Sequence, residues 1–598
     1  MRQSNLGYLL RRNAIFFVAA ALFALTAGIV FGTGLLYTDV LITTAVFCLL
    51  VVGMDLLYGY TGLLSFGHVG FFAIGAYGVA VLAKHAGFSF FEGAAASLLI
   101  NIVVGWILGR VLLRVSGLYF MLGTLSFGLM VHAVITVWYP VTGGDAGLGD
   151  IPRPILFGID FASATNYGIL TWVVVAILFW IAINLTRSRV GRALRAIRSD
   201  EISAACTGTH VARLRTNIFA VSAAYASVAG SLFASYFGAV HPDSFSLAVL
   251  LEVLLMLFFG GEGTIWGVLI GTVFMRALPD LSESLQTGKI LFSGVLFTLI
   301  IFLFPRGVAG AINDLRQRFR TPRPASGPVP TMAQLMAGKE IHTAPDVLDL
   351  TNIGKSFGGL RAVDAVSFAV PRAAIKSLIG PNGAGKTTLI NMISGVLAPS
   401  EGTVRFEGRA LDGLRADQVA RLGVQRTFQH ERLFAQLTVL ENVMVGCEHG
   451  SDGSLLDLVK CGLAFPQTLR DEQKCRAEAE AWLARVGLSE RADEQVNVLP
   501  HGLRKLVEVA RAGAAKPSLL LLDETAAGLN NAEKEGFKTL IREMRDQGVT
   551  VLLIEHDMDF VMDLSDEVVV VNFGRRIADA TPAQVRKDEA VIAAYLGA

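Results

Sequence analysis

"GPNGAGKTT", residues 380–388, decides how the second half of this 598-residue chain is read. It fits G-x-x-x-x-G-K-[ST] through Gly380, Gly385, Lys386 and Thr387. A short strand-like run, "AIKSLI", precedes it and a helical run, "LINMISGVL", follows, which is the context the pattern requires. Pro381, Asn382, Gly383 and Ala384 complete a loop whose backbone N–H groups can close around phosphate oxygens, and Thr388 is expected among the nucleotide-binding residues. In that arrangement Lys386 neutralises the β and γ phosphates, Thr387 binds Mg²⁺, and the helix N-terminus adds its dipole. The expected ligands are ATP and Mg²⁺.

Further along, "LLLLDET", 519–525, reads as a buried apolar strand ending in two acids. Asp523 can hold Mg²⁺ through water and Glu524 can polarise an attacking water. A strand that merely ends in acids is common; the phosphate loop upstream is what gives this one chemical meaning. "VLLIEHDM", 551–558, is a second such strand and delivers His556 to the same sheet edge. A lone histidine after a strand is usually structural, but a third polar group converging on one edge favours contact with the γ phosphate. "RTFQ", 426–429, supplies Gln429, a neutral group able to reach both Mg²⁺ and water. Phe357, in "KSFGG", is placed to stack on adenine or to join the core.

Outward from this half the composition changes. The whole chain is 53% apolar and only 17% charged, below the roughly 25% usual in soluble proteins, and its net charge of +1 gives no excess for nucleic-acid binding. Residues 1–315 carry most of the apolar excess. About ten stretches approach the 20 apolar residues a bilayer-spanning helix needs: 13–31, 39–57, 64–83, 94–113, 117–138, 167–186, 216–238, 247–260, 264–278 and 288–305. The short pair around "FFGGEGTIWG", 258–267, is consistent with a re-entrant pair or one kinked helix. Arg11 and Arg12, Arg110 and Arg114, Arg187 to Arg195, and Arg306 to Arg320 all fall on one side if every stretch crosses, which puts that side in the cytoplasm. Asp55, Glu252 and Glu262 lie in or near apolar spans, where charge is expensive; Glu252 either borders a solute path or pairs with another helix. The charged segment 187–215 cannot cross and lies at the cytoplasmic face, as an interfacial loop or as a coupling element on an ATPase. Pro322, Pro324, Pro328 and Pro330 interrupt any helix between the halves. The expected organisation is a transmembrane domain over 1–315, a flexible Pro-rich linker over 316–345 and a soluble ATP-binding domain over 346–598. The five cysteines form no C-x-x-C pair, so free thiols are expected.

The order Phe357, P-loop, Gln429, "LPHGLRK" (499–505), "LLLLDET", "AAGLN" and "IEHDM" resembles the ATPase domain of ABC transporters over about 250 residues. "NGAGKTTLIN", "RTFQ" and "DETAAGLN" are similar to the LivG subunit of Liv-type branched-chain amino acid importers, with Thr525 standing where proline is usual. "GYTGLLSFGHVGFFAIGAY" (59–77), "SGLYFMLGTLSFGLM" (116–130), "VTGGDAGL" (141–148), "GRALRAIRSDE" (191–201) and "GGEGTIWGVLIG" (260–271) resemble the LivM permease. The resemblance implies a polytopic α-helical permease followed by an α/β P-loop ATPase, with Glu524, His556 and Gln429 catalytic and Thr387, Asp523 and Gln429 around the metal. It also implies partners: a LivH-like permease, a LivF-like ATPase, a periplasmic solute-binding protein and membrane lipid. The setting implied is the bacterial inner membrane with the ATPase in the cytoplasm. Urea, short amides and other organic solutes travel on the same scaffold. A regulatory membrane ATPase is the alternative of another class, suggested by the degenerate signature. An ABC exporter half is a poorer match, because exporter helices extend deep into the cytoplasm and the loops here are short.

"LPHGLRK" occupies the place of the ABC signature L-S-G-G-Q, which grips the γ phosphate bound to a partner's P-loop. Pro500 lacks the hydroxyl and the N–H of the usual serine, whereas Gly502 keeps its N–H. Losing one charge-assisted contact costs about 1.5–3 kcal/mol, a weakening of the partner's site rather than of this chain's own P-loop.

Overall fold

The computed structural model describes residues 38–280 (except 114, 116 and 157), 307–318, 329–338, 346–448 (except 430) and 452–596, with a few positions between 294 and 302. They form two compact units. The first lies within Met1–Leu194, Ala212–Thr321 and Gly453–Arg470, and the second within Arg195–Val211, Pro322–Asp452 and Asp471–Ala598.

The helices of the first unit include α1 (Thr38–Thr61), α2 (His68–Ala86), α3 (Phe90–Leu112), α4 (Leu118–Val137), α5 (Ala164–Thr186), α6 (Arg189–Ser199, which continues into the second unit), α8 (Val211–Phe237), α9 (Leu247–Gly260) and α10 (Ile265–Asp280). The intervening α7 (Glu201–Cys206) belongs to the second unit. Among the described residues seven helical stretches are long and apolar enough to span a membrane, and Ile265–Arg276 is a shorter apolar helix. The expected spans 13–31 and nearly all of 288–305 lie outside the described residues. α1 is the most deeply buried of the seven, whereas α3 and α4 leave Leu99, Val103, Ile107 and Leu129 exposed, as a lipid- or subunit-facing surface requires. Small residues let helices approach: a Cβ on Gly75 would lie 2.4 Å from the Ser227 carbonyl oxygen.

The pair at 258–267 is a tight helical hairpin. A Cβ on Gly260 would stand 2.1 Å from the carbonyl oxygen of Gly267, and Phe259 and Phe274 stack at 4.4 Å. Asp55 on α1 fastens the turn, its Oδ1 accepting the Gly263 N–H at 2.7 Å. Glu252 on α9 pairs with Arg276 on α10 at 3.1 Å, and the Arg276 guanidinium also lies over the Phe47 ring. The structure therefore gives Glu252 a helix-pairing contact. Glu252→Leu is expected to destabilise this unit by about 3 kcal/mol, because it strands a guanidinium in an apolar setting. Adding Arg276→Met should recover most of the loss. Thermal unfolding in nanodiscs checks both, and a single variant as stable as wild type would refute the pairing as a stabilising contact.

Residues 453–470 complete this unit. α11 (Leu455–Gly462) packs on α5, Arg189 pairs with Asp457 at 2.6 Å, and Asn217 donates to the Gly453 carbonyl at 2.6 Å.

The second unit contains an antiparallel sheet in the order β2-β1-β4-β5: β1 (Asp346–Phe357), β2 (Leu360–Pro371), β4 (Glu401–Phe406) and β5 (Arg409–Ala410). Its main sheet is ordered β10-β9-β3-β8-β7-β6: β3 (Ile375–Ile379), β6 (Val424–Arg426), β7 (Leu519–Asp523), β8 (Thr550–Ile554), β9 (Glu567–Asn572) and β10 (Arg575–Ala580). Only β10 is antiparallel in this sheet. Every residue of β3, β7 and β8 is buried, which is why β7 and β8 read as largely apolar runs rather than alternating ones; β3 carries Lys376 and Ser377, with Lys376 paired to Glu567 and Asp579. The helices used below are α12 (Lys386–Ile393) and α13 (His501–Ala514).

Two features bear on the sequence reading, one against the expected linker and one in line with the coupling-element alternative for 187–215. Within the expected linker, Thr331 caps a helical turn over Met332–Leu335, and Met332, Leu335 and Met336 enter the core of this unit. Their i, i+3, i+4 spacing makes an apolar face that four nearby prolines obscured. The segment 195–211 is also integral here. Arg195 grips Glu441 through two hydrogen bonds at 2.8 and 3.3 Å, and Ser203 donates to the Arg432 carbonyl at 3.0 Å. Asp200 pairs with Arg432 at 3.2 Å, and Cys206 packs with Ala416 and Phe428.

Candidate active site

Four parallel strands, adjacent in the order β3-β8-β7-β6, bring their carboxyl ends to one edge, where open α/β sheets bind ligands. Ile554 pairs in register with Asp523, and Arg426 with Leu521. The P-loop follows β3, Glu524 follows β7, His556 lies two residues beyond β8, and Gln429 lies three residues beyond β6.

The loop from Gly380 to Gly385 turns into α12 with Gly383 at φ 81° and Gly385 at φ 99°, conformations that favour glycine. A Cβ on Gly383 would meet nothing within 4 Å, so the space beside the loop is open there. Lys386 lies against this loop, its Nζ donating to the carbonyls of Gly380 at 2.8 Å and Pro381 at 3.0 Å. Burial lowers its pKa, while the nearby Glu524 and Asp523 oppose the shift. Asn382 and Thr387 are exposed, Pro381 and Thr388 are partly so, and Ala384 is buried beneath them.

Glu524 is the meeting point. His556 Nε2 lies 2.7 Å from Glu524 Oε1, and Gln429 Nε2 donates to Glu524 Oε2 at 2.9 Å. The three residues expected to act together are thus in direct contact. Glu524 itself adopts φ 49°, an unusual conformation for a non-glycine residue, held by its N–H bond to the Ile554 carbonyl at 2.9 Å.

Asp523 is buried beside them. Its Oδ2 faces Arg426 at 3.4 Å and its N–H donates to Thr427 Oγ1 at 3.1 Å, while Oδ1 has no hydrogen-bond partner among the described residues. Burial pushes this carboxyl above the usual range, with Arg426 acting against the shift. A buried, unpaired carboxylate oxygen suits Mg²⁺ or the water around it, so the residues present fit that cation. Phe357 ends β1 with a half-exposed ring, and Lys355 Nζ lies 5.5 Å from its centre, so it is available to a flat base.

The start of α13 forms its own group. Pro500 precedes the helix with no side-chain cap bond. His501 Nδ1 lies 2.6 Å from Glu431 Oε1, and Arg504 pairs with Glu431 Oε2 at 3.1 Å. Gly502 has little spare room, because a Cβ there would come within 3.3 Å of Leu529 and of the Glu533 carboxylate.

Several contributors were not anticipated. Thr525 Oγ1 lies 2.7 Å from Thr427 Oγ1, so the residue standing in place of proline ties the Gln429 segment to the Asp523–Glu524 turn. Arg426 sat unremarked inside the quoted "RTFQ". Glu555, beside His556, is buried and accepts the Ala526 N–H at 2.6 Å; burial pushes its pKa up to about 7. As pH rises from the ordinary carboxylate range towards 7, the unfolded chain ionises at this position before the folded one. Stability present at low pH is lost across that window. Glu555→Gln removes the titration and keeps an acceptor for Ala526. Its melting-temperature advantage over wild type is expected to grow from about pH 4.5 to 7 and then level off; a pH-independent difference would refute the assignment.

Residues 36–304 match the family described as the permease component of the branched-chain amino acid transport system. Residues 363–527 match the ABC transporter family, and 575–598 match the family described as branched-chain amino acid ATP-binding cassette transporter. The ATP-binding protein BraF of Pseudomonas aeruginosa is 42% identical over 253 residues, which cover 42% of this chain and 98% of BraF. LivM, the high-affinity branched-chain amino acid permease of Salmonella typhimurium, is 30% identical over 293 residues, covering 45% of this chain and 69% of LivM. The chain belongs to the branched-chain amino acid ABC transporter family. LivG of Escherichia coli is likewise 42% identical over 252 residues, with 98% of LivG covered. A nucleotide-free ATP-binding cassette of known structure is 31% identical, with 42% of this chain and all of that one covered at a TM-score of 0.38. As a family member the chain joins a multi-pass permease to an ATPase that binds ATP and couples its hydrolysis to transport.

Proposed function

We propose that this chain supplies one permease and one ATPase to a branched-chain amino acid importer of the bacterial inner membrane. A LivH-like permease, a LivF-like ATPase and a periplasmic binding protein supply the rest. The observation that carries the catalytic reading is the contact of both His556 and Gln429 with Glu524. In this reading Phe357 stacks on adenine, and Gly380 to Thr388 hold the phosphates with Lys386 neutralising them. Glu524 polarises the attacking water, and His556 and Gln429 hold that carboxylate and the γ-phosphate side of the site. Thr387, Asp523 and Gln429 would hold Mg²⁺, which when bound offsets phosphate charge. Catalysis of this kind rests on positioning and electrostatics more than on covalent chemistry.

ATP on this chain's P-loop would be completed by the partner ATPase's signature. This chain's "LPHGLRK" would complete the partner's site, less tightly because Pro500 offers neither hydroxyl nor N–H. The assembly would then have one strong site, built on this chain. Segment 195–211, held by Arg195–Glu441 and Asp200–Arg432, would carry motion between solute path and ATPase.

The test is Mg-ATP hydrolysis and solute uptake in proteoliposomes, with this chain alone and with candidate partners. Solute-stimulated hydrolysis and leucine uptake only in the full set are expected. Full hydrolysis by this chain alone would refute the asymmetric assembly, and hydrolysis without any uptake would favour a regulatory ATPase.

A further inference from the structure

Helix α13 carries Lys505, Glu508 and Arg511 three residues apart, on neighbouring turns of one face, and all three are almost wholly buried. Buried charges in a row are poor stabilisers, since desolvation offsets most of what their pairing returns. What they touch is specific. Glu508 Oε1 accepts the Phe428 N–H at 3.0 Å, Lys505 Nζ donates to the Gln429 carbonyl at 3.3 Å, and Arg511 donates to the Arg432 carbonyl at 3.0 Å. Glu508 and Arg511 also face each other at 3.6 Å. The face therefore bonds the main chain at three points: Phe428, Gln429 and Arg432. One end of that segment bears Gln429, bonded to Glu524. Its other end bears Arg432, whose carbonyl also receives Ser203 Oγ and whose side chain pairs with Asp200.

We propose that Lys505 and Glu508 are positioning residues that lock Gln429 to the helix beginning at the signature, so that the two move as one piece. The proposal rests on the assignment of Gln429 to the hydrolytic site. Its consequence is that a displacement of residues 200–203, delivered through Arg432, reaches two ATP sites together. Gln429 serves the site on this chain's P-loop, and α13 presents "LPHG" to the site on the partner.

The test uses the complete transporter and separates kcat from KM for ATP. Lys505→Met keeps most of the side-chain volume and removes the donor to Gln429 together with the positive charge near Glu508 and Asp523. It is expected to lower solute-stimulated kcat about tenfold while KM for ATP stays within about twofold, and Lys505→Arg should restore most of the loss. On a Gln429→Ala background Lys505→Met should do nothing further, because residues acting through one group are non-additive. Glu508→Gln, which keeps an oxygen for the Phe428 N–H, should stay near wild type, whereas Glu508→Leu should fall to the level of Lys505→Met. An equal loss from Lys505→Met with and without Gln429, or no loss at all, would overturn the proposal and leave the role of Gln429 standing. A silent Gln429→Ala would overturn the assignment of Gln429 and the proposal with it.

Discussion

Replacing Glu524 with glutamine is expected to lower ATP turnover by about 10²–10⁴-fold while ATP binding survives. The substitution keeps the shape of a side chain that receives His556 at 2.7 Å and Gln429 at 2.9 Å, so the cluster should stay assembled. What is lost is the negative charge that draws a proton from the attacking water. Because the P-loop is untouched, the variant should retain ATP through repeated washes where wild type returns ADP. Steady-state hydrolysis and filter retention of labelled ATP by the reconstituted complex check the two halves of the expectation. Turnover within tenfold of wild type would remove Glu524 from the chemistry and leave the convergence of the three side chains as a structural contact.

The second large effect is expected at Lys386. Its Nζ bonds two loop carbonyls, Gly380 and Pro381, and no other lysine belongs to the loop or to the first turn after it. Lys386→Ala removes the charge that would face the phosphates and strips those carbonyls of their donor. Two charge-assisted contacts at about 1.5 kcal/mol each correspond to roughly a hundredfold weaker ATP binding. Titration with a fluorescent ATP analogue measures it, and a Kd within threefold of wild type would count against a phosphate-facing lysine. A fall in kcat with unchanged affinity would instead place Lys386 in the transition state alone.

How far these residues could be read from sequence depends on how local their signals are. The P-loop is legible because nine consecutive residues carry it, and β7 and β8 because central parallel strands are apolar on both faces. Gln429 was legible only through its order along the chain, since nothing within "RTFQ" distinguishes a catalytic glutamine. Lys505, Glu508 and Arg511 were not legible. In "RKLVEVARAG" they look like the wet side of an amphipathic helix, and only the three-dimensional packing shows that side to be buried against a loop. Thr525 was seen as a departure, but its partner Thr427 lies 98 residues away and could not be paired with it from one sequence. In the membrane half the break "FFGGEGTIWG" was visible, yet whether it marked a re-entrant pair or one kinked helix depended on contacts no periodicity encodes. The turn at 331–337 was hidden for the opposite reason, because strong helix-breaking signals beside it masked a weak apolar face.

The membership of the two compact units carries an evolutionary consequence. Residues 195–211 fold with the ATPase, and 453–470 fold with the membrane helices. A recombination event joining at the proline-rich stretch would respect the reading frame of each half and still pair each fold with a foreign piece of itself. Grafting another ATPase onto this permease should therefore succeed only when both short segments travel with the unit they complete. Substitutions in 195–211 are then expected to track those of the ATPase, and substitutions in 453–470 those of the permease.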